Sequence, residues 1–148
     1  MINKIGWQGT FTIETNGEKE EINNRVMDAA LNELIEILIG NAADIDVKYL
    51  ALGTSNAAVT DSQTQLGNEI FRTQYINRER SATGEVTSKF VVLDNEAVAQ
   101  IEEIGIFGGS TATATANTGT LISRILWSRN KSNSEEINFT RVDKVVRA

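Results

Sequence analysis

Apolar and polar residues alternate at the start of the chain, which is the period-two pattern of a half-buried β-strand. The apolar face consists of Ile5, Trp7, Phe11 and Ile13. Asn16-Gly17 fits the two-residue turn of a hairpin, because both residues adopt positive φ readily. The return arm, residues 18–22, is poor strand material. A strand within its own domain is the simpler interpretation of the hairpin 1–22; the alternative is an inter-subunit arm, whose apolar face would then be the oligomer contact.

The pattern then becomes helical. Apolar residues recur at helical spacing at Met27, Ala30, Leu31, Leu34, Ile35 and Leu38. Asn23 or Asn24 can cap the start, and Gly40 suits the position after the end, so the sequence predicts one helix over residues 23–40. Additional apolar residues at Val26, Ile37 and Ile39 indicate burial on two sides. We favour packing against the chain's own sheet over a partner surface.

Short apolar runs separated by polar turns fill the remainder of the chain. They predict strands over residues 47–52, 71–76, 86–93, 101–107, 121–128 and 137–146, with turns at 77–84 and 129–135. A change of apolar face in the last strand suggests a bulge or twist near Arg141. Residues 53–65 and the acids Asp44 and Asp46 are interpreted as solvated, and the small, uncharged tract 108–119 as a flexible, protruding loop.

These elements define the expected fold. The predicted strands do not alternate with helices as they do in parallel βαβ units. A chain of 148 residues is long enough for one domain. We therefore expect a single, mainly β domain over residues 1–148 with one α-helix. Residues 47–148 would form an antiparallel β-sandwich or partly open barrel, with the helix packed against it.

Composition narrows the function. The formal net charge is −6, and no basic cluster suggests a nucleic-acid partner. Cysteine and histidine are both absent, which removes thiolate chemistry, the commonest general base and the commonest transition-metal ligand. No segment resembles a signal peptide or membrane span, so we expect synthesis in the cytoplasm and no membrane partner. The composition favours a protein that is not an enzyme and has no cofactor.

Charged residues inside apolar runs are the candidate site. Four of them are predicted to form a structural charge network that fixes strand register: Glu69, Arg72, Glu103 and Arg124. Arg124 lies in a doubly apolar strand, so it should be buried and paired with Glu103 or Glu69. A glycosidase pair of Glu102 and Glu103 is disfavoured, because neighbouring residues of a strand point to opposite faces. Asp61 alone offers too few oxygens for calcium, so no metal site is expected.

Four segments carry a resemblance: residues 48–54 (KYLALGT), 64–72 (TQLGNEIFR), 103–108 (EIGIFG) and 121–127 (LISRILW). In this order and spacing they resemble a family of tailed-bacteriophage structural proteins from tail-fibre, collar and baseplate-peripheral positions. The likeness covers about residues 24–146. It implies a virion component that assembles into trimers or rings, and it supplies no catalytic residues.

The expected function is therefore a structural tail or collar fibre or adaptor protein of a phage virion. Its partners would be itself, as a homotrimer or hexameric ring, and other virion proteins. The alternative is a receptor-binding module that recognises a glycan or cell surface. For that role Tyr49 and Tyr75 are the candidate exposed contacts, since the other aromatic residues fall in strand patterns explained by core packing.

Overall fold

The computed structural model describes residues 5–41 and 43–147, apart from the side chain of Ile5. The predicted hairpin residues 1–4 and the end of the predicted sandwich at residue 148 lie outside this part. The elements are β1 (Ile5–Thr15), β2 (Glu18–Asn24), α1 (Asp28–Ile39), β3 (Val47–Gly53), β4 (Glu69–Gln74), β5 (Asn77–Ala82), β6 (Glu85–Val92), β7 (Gln100–Gly108), β8 (Thr120–Asn130) and β9 (Ile137–Arg147).

The strands form two antiparallel sheets that pack face to face. One sheet has five strands in the order β2-β1-β9-β6-β5, and the other has four in the order β4-β3-β7-β8. Both contribute to one apolar core, which includes Phe11, Leu50, Phe90, Ile104 and Phe139. The predicted mainly β fold with one helix is confirmed as a β-sandwich.

Strand β1 lies inside the five-stranded sheet, between β2 and β9. The side chains of Phe11 and Ile13 are buried in the core of their own domain. The hypothesis that these two residues belong to an inter-subunit arm is therefore wrong. They belong to a strand within their own domain. The polar β2 forms because its backbone pairs with β1 over seven residue pairs, from Gly9↔Asn24 to Thr15↔Glu18, so that tertiary pairing overrides a weak propensity.

The helix begins later than predicted. Asn23 and Asn24 belong to β2, and the residue before the helix is Met27, whose side chain makes no capping hydrogen bond. Its backbone N–H instead donates to the carbonyl of Ile122 in β8 (2.8 Å). Gly40 ends the helix in the left-handed conformation (φ 94°), as predicted. Only the N-terminal part of α1 is covered by the sandwich, through the buried Ala30.

The predicted turn 77–84 is wrong, since most of it is strand β5. Its alternating charged residues pair with β6, and the actual turn is Thr83-Gly84, where Gly84 has φ 70°. The predicted strand 71–76 ends at Gln74, because the chain crosses from the four-stranded sheet to the five-stranded sheet immediately afterwards. A charged edge strand is a common protection against edge-to-edge association, and its polarity hides it from a hydrophobic pattern.

The bulge predicted near Arg141 is also absent from the described part of β9. The register against β1 and β6 is unbroken through Arg141. Ile137, Phe139, Arg141 and Asp143 all point inward. The apparent change of face arises because the inner face ends in a buried ion pair.

Candidate functional site

Glu103 of β7 and Arg124 of β8 form a fully buried ion pair, with 2.9 Å between Glu103 Oε1 and Arg124 Nε. The carboxylate of Glu103 also accepts hydrogen bonds from the backbone N–H groups of Ser55 (2.9 Å), Gly67 (2.7 Å) and Asn68 (2.9 Å). The prediction that Arg124 is buried against Glu103 is confirmed, and Glu69 is not its partner.

The pair holds the loop between β3 and β4 against the sandwich. Arg124 donates to the carbonyls of Ala57 (2.9 Å) and Ser55 (3.3 Å). The loop approaches closely at Gly53, where an added Cβ would lie 2.5 Å from Glu103 Oε2. The predicted solvated loop is therefore exposed over much of its length, while its backbone is fixed at both ends by buried charges.

Burial alone would raise the pKa of Glu103, but the hydrogen bonds from Arg124 and from the N–H groups of Asn68, Ser55 and Gly67 hold the pKa below its usual value of 4.5. A carboxyl group whose pKa is lower when folded stabilises the protein above its unfolded pKa, and that contribution is lost as the pH falls through the folded pKa. The pair therefore favours the folded state most strongly near neutral pH.

The free energy of unfolding should accordingly be level from about pH 7 to 5 and decline as the pH falls below about 4.5. Urea unfolding at a series of pH values measures this. Asp46→Asn should make the decline shallower, because Asp46 also has a lowered pKa. Stability that is constant or rising from pH 5 to 3 would contradict this account.

Glu69 and Arg72 form a second pair, separate from the first. Two hydrogen bonds of 2.6 and 2.7 Å join the guanidinium to the carboxylate, and both side chains are almost fully buried. The guanidinium lies 4.5 Å from the ring centroid of Phe107 and 5.4 Å from that of Tyr49. The predicted network is therefore two independent ion pairs, each serving its own loop.

The loop served by this second pair is the tract between β7 and β8. Arg72 Nη1 donates to the carbonyls of Thr113 (2.9 Å) and Thr118 (3.0 Å), and Glu69 accepts from the N–H of Asn117 (3.1 Å). These hydrogen bonds hold the backbone of the loop at three residues, while most of residues 110–117 are exposed, so the flexible, protruding loop stays a prediction. Small side chains at these positions let the backbone approach the ion pair.

Arg72→Lys should release the β7–β8 loop while leaving the sandwich folded, since lysine cannot make the two-pronged contact. Hydrogen exchange of the Asn117 and Thr118 amides should then be at least tenfold faster. Amides in β9 serve as the internal control and should keep their protection. Unchanged exchange in the loop would show that Arg72 does not hold it.

A third buried cluster was not predicted. The guanidinium of Arg141 contacts the carboxylate of Asp143 at 2.8 and 3.1 Å and donates to Ser123 Oγ (2.7 Å). Asp143 also accepts from Trp7 Nε1 (2.9 Å). Arg141 leaves no room for a side chain at position 9, because a Cβ on Gly9 would collide with Arg141 Nη2. The sequence did contain an indication of this cluster. Ile137, Phe139, Arg141 and Asp143 occupy alternate positions, which places all four on one face of the strand.

Asp46 was predicted to be solvated. It is instead half-buried in a small charge cluster. It accepts from Arg78 Nη1 (3.0 Å) and from the N–H of Gly109 (3.1 Å), and Lys48 lies at 3.5 Å. Burial opposes ionisation, but these contacts lower the pKa of Asp46 below its usual value. Asp44 is exposed, as expected.

A groove of about 760 Å³ opens beside this cluster, between α1 and the sandwich. We call it the α1 groove and define it by its main lining residues, Trp7, Leu34, Ile45, Arg78, Arg80, Val86 and Val145. Its acids are already engaged: Asp46 by Arg78, Asp143 by Arg141, and Glu85 by Ser81 and Lys144. The lining is therefore mainly apolar, with arginines at its edge.

The remaining candidates lie apart. Glu102 is half-buried and accepts from Gln100 Nε2, whereas Glu103 is fully buried, so the two do not face a common cleft. Residues 5–41 and 43–147 contain no cluster of three or more acids that could hold a metal ion. Within the same residues, no helix has the length and apolar character needed to cross a bilayer.

Comparisons with protein-family models, with curated proteins and with solved structures found no match. The chemistry of the described side chains must therefore be interpreted on its own. Its buried carboxylates and arginines pair with one another inside the fold, and the α1 groove has a mainly apolar lining.

Proposed function

We propose that this chain is a non-enzymatic structural component of a phage virion, a tail or collar fibre or adaptor protein that oligomerises and attaches to other virion proteins. The observation that carries the proposal is the uncovered apolar face of α1. Four side chains at helical spacing are substantially exposed: Leu31 (40%), Ile35 (49%), Leu38 (74%) and Ile39 (64%). We call them the exposed stripe.

The exposed stripe is typical of an assembly surface. Isolated apolar residues are common on protein surfaces, but a contiguous apolar face of a few hundred Å² usually marks a contact with another molecule. Exposure of leucine and isoleucine over two successive helical turns costs solubility and gains nothing for the isolated fold. This favours a chain that functions in a complex.

The resemblance supports the same role from a different direction. The four segments that carry it correspond to β3, β4, β7 and β8 with the loop before β4, and these strands form the four-stranded sheet. Four of the charged residues in these segments form the two ion pairs that fix the loops of that sheet: Glu69, Arg72, Glu103 and Arg124. The motif is thus explained by fold maintenance, without a catalytic role for Glu69 or Glu103.

The receptor-binding alternative receives less support. Tyr49 and Tyr75, its candidate contacts, are both half-buried rather than open. Arg72 lies over Tyr49, and the Arg78 guanidinium lies 4.4 Å from the ring centroid of Tyr75. Rings covered in this way offer less surface for stacking on a sugar.

The protein composition of purified phage particles tests the proposed function. Quantitative mass spectrometry of phage particles purified from the strain that carries this gene should detect the chain at a constant ratio to the tail proteins. Particles should keep this ratio through density-gradient and high-salt washes, while an abundant host protein is lost. Absence of the chain from washed particles would refute the proposed function.

A further inference from the structure

The exposed stripe and the α1 groove are two parts of one surface. Leu34 lines the groove, and it lies one helical turn from Leu31 and from Leu38. The apolar face therefore continues from the helix across the groove to Val86 and Val145 on the five-stranded sheet. Whatever covers one part will contact the other.

The charges around this surface are complementary to each other. Helix α1 carries Asp28, Glu33 and Glu36 but no lysine or arginine. The groove lining contains Arg78 and Arg80 together with three acids, each paired with a basic residue: Asp46, Glu85 and Asp143. Arg78 is paired with Asp46, whereas Arg80 makes no ion pair with any residue of the described ranges. An acidic, apolar helix is thus the partner that the groove suits, and this chain has one.

We propose that a second copy of this chain covers the surface, with α1 of each copy lying along the α1 groove of the other across a two-fold axis. Helix and groove are side by side on one face, so a two-fold rotation makes both contacts at once. A stable interface buries roughly 800 Å² per partner, so the pairing must cover the stripe and the groove together. The inference rests on the proposed function in taking self-association as part of the chain's role, and a ring of six would contain three such pairs.

The first test compares two glutamine substitutions at similarly exposed apolar residues. Ile35 is 49% exposed in the stripe. Leu93 is 46% exposed and directly follows β6 at the end away from the groove, about 23 Å from Val86 at ~3.3 Å per residue. Analytical ultracentrifugation of the full chain should give a mass of two chains, or a multiple containing two-fold pairs. Ile35→Gln should raise the dissociation constant at least tenfold, and Leu93→Gln should leave it unchanged.

Charge reversal tests the complementarity. Arg80→Glu should weaken the pair several-fold, because it faces the acids of the partner's helix. Lys89→Glu, on the same hairpin but outside the groove, is the matched control and should have no effect. Circular dichroism melting of each variant separates lost pairing from lost folding. Equal weakening by both reversals would overturn the assignment of the groove.

A cysteine experiment tests the symmetry, because the chain has no cysteine of its own. Leu31, Ile35 and Leu38 are replaced by cysteine one at a time. A two-fold axis near the stripe brings the same residue of two copies within disulfide range, so at least one variant should form a linked dimer under mild oxidation. Leu93→Cys should not.

Three results would overturn the pairing: a wild-type monomer at high concentration, a trimer without two-fold contacts, or no cross-link from any stripe cysteine. Each leaves the virion role intact if the chain is found in washed particles. Absence from particles together with a confirmed pair would instead refute the proposed function alone.

Discussion

Replacing Glu103 by alanine is expected to lower the free energy of unfolding by about 3–5 kcal/mol, the cost of leaving one member of a buried ion pair without its partner. The substitution leaves Arg124 buried without a partner carboxylate. It also removes the acceptor of three backbone N–H groups, at Ser55, Gly67 and Asn68. Both losses act on the same loop. Chemical denaturation measures the change.

The control is the surface pair Lys19–Glu14, whose side chains are 67% and 43% exposed. Glu14→Ala should cost less than about 1 kcal/mol. Arg124→Met should cost less than Arg124→Ala, since methionine retains volume in the buried space while both remove the charge. Equal costs for Glu103→Ala and Glu14→Ala would show that the buried pair contributes no more than a surface one.

A comparable loss, about 3–5 kcal/mol, is expected from Asp143→Ala. It leaves the fully buried Arg141 without a carboxylate and removes the acceptor of Trp7 Nε1. Asp61→Ala is the control, because Asp61 pairs with the exposed Arg25. Thermal unfolding should show a large fall in melting temperature for the first variant and a small one for the second.

Two glycines of β1 provide an independent test of the same cluster. A Cβ at Gly9 would collide with Arg141 and Asn24, whereas a Cβ at Gly6 would meet nothing within 4 Å. Gly9→Ala should therefore destabilise the protein by about 1–3 kcal/mol, and Gly6→Ala should be nearly neutral. Similar stabilities for the two alanine variants would contradict the packing described around Arg141.

Apolar periodicity was sufficient for the core strands and for the class of fold. Strands such as β3, β7 and β8 bury apolar side chains, so the hydrophobic pattern of the sequence predicts them. It was insufficient where polar residues form structure. Strand β5 and the polar β2 are sheet edges held by backbone pairing, which leaves no apolar signature.

The candidate site was predictable in part for the same reason. Arg124 stood out because apolar residues surround it on both sides in sequence, so its burial and need for an acid followed. Arg141 and the buried Lys131 stand in polar surroundings and gave no such contrast. Lys131 Nζ donates to the carbonyls of Leu93, Asp94 and Ser132, partners that only the fold brings together.

The uncovered helix face could be seen only in three dimensions. The sequence predicts an apolar helix that is broader than one stripe, and packing against its own sheet was the natural expectation. In the structure, the sandwich covers α1 around Ala30 and leaves the exposed stripe open. Periodicity identifies which side chains are apolar, while the direction in which the helix leaves the sheet decides which of them are covered.

Electron cryomicroscopy of the intact phage particle tests the virion role. The images should show density for this β-sandwich in the tail or collar, with the exposed stripe buried against another protein chain. Particles that lack the domain, or a domain whose α1 face is open to solvent in the assembled virion, would contradict it.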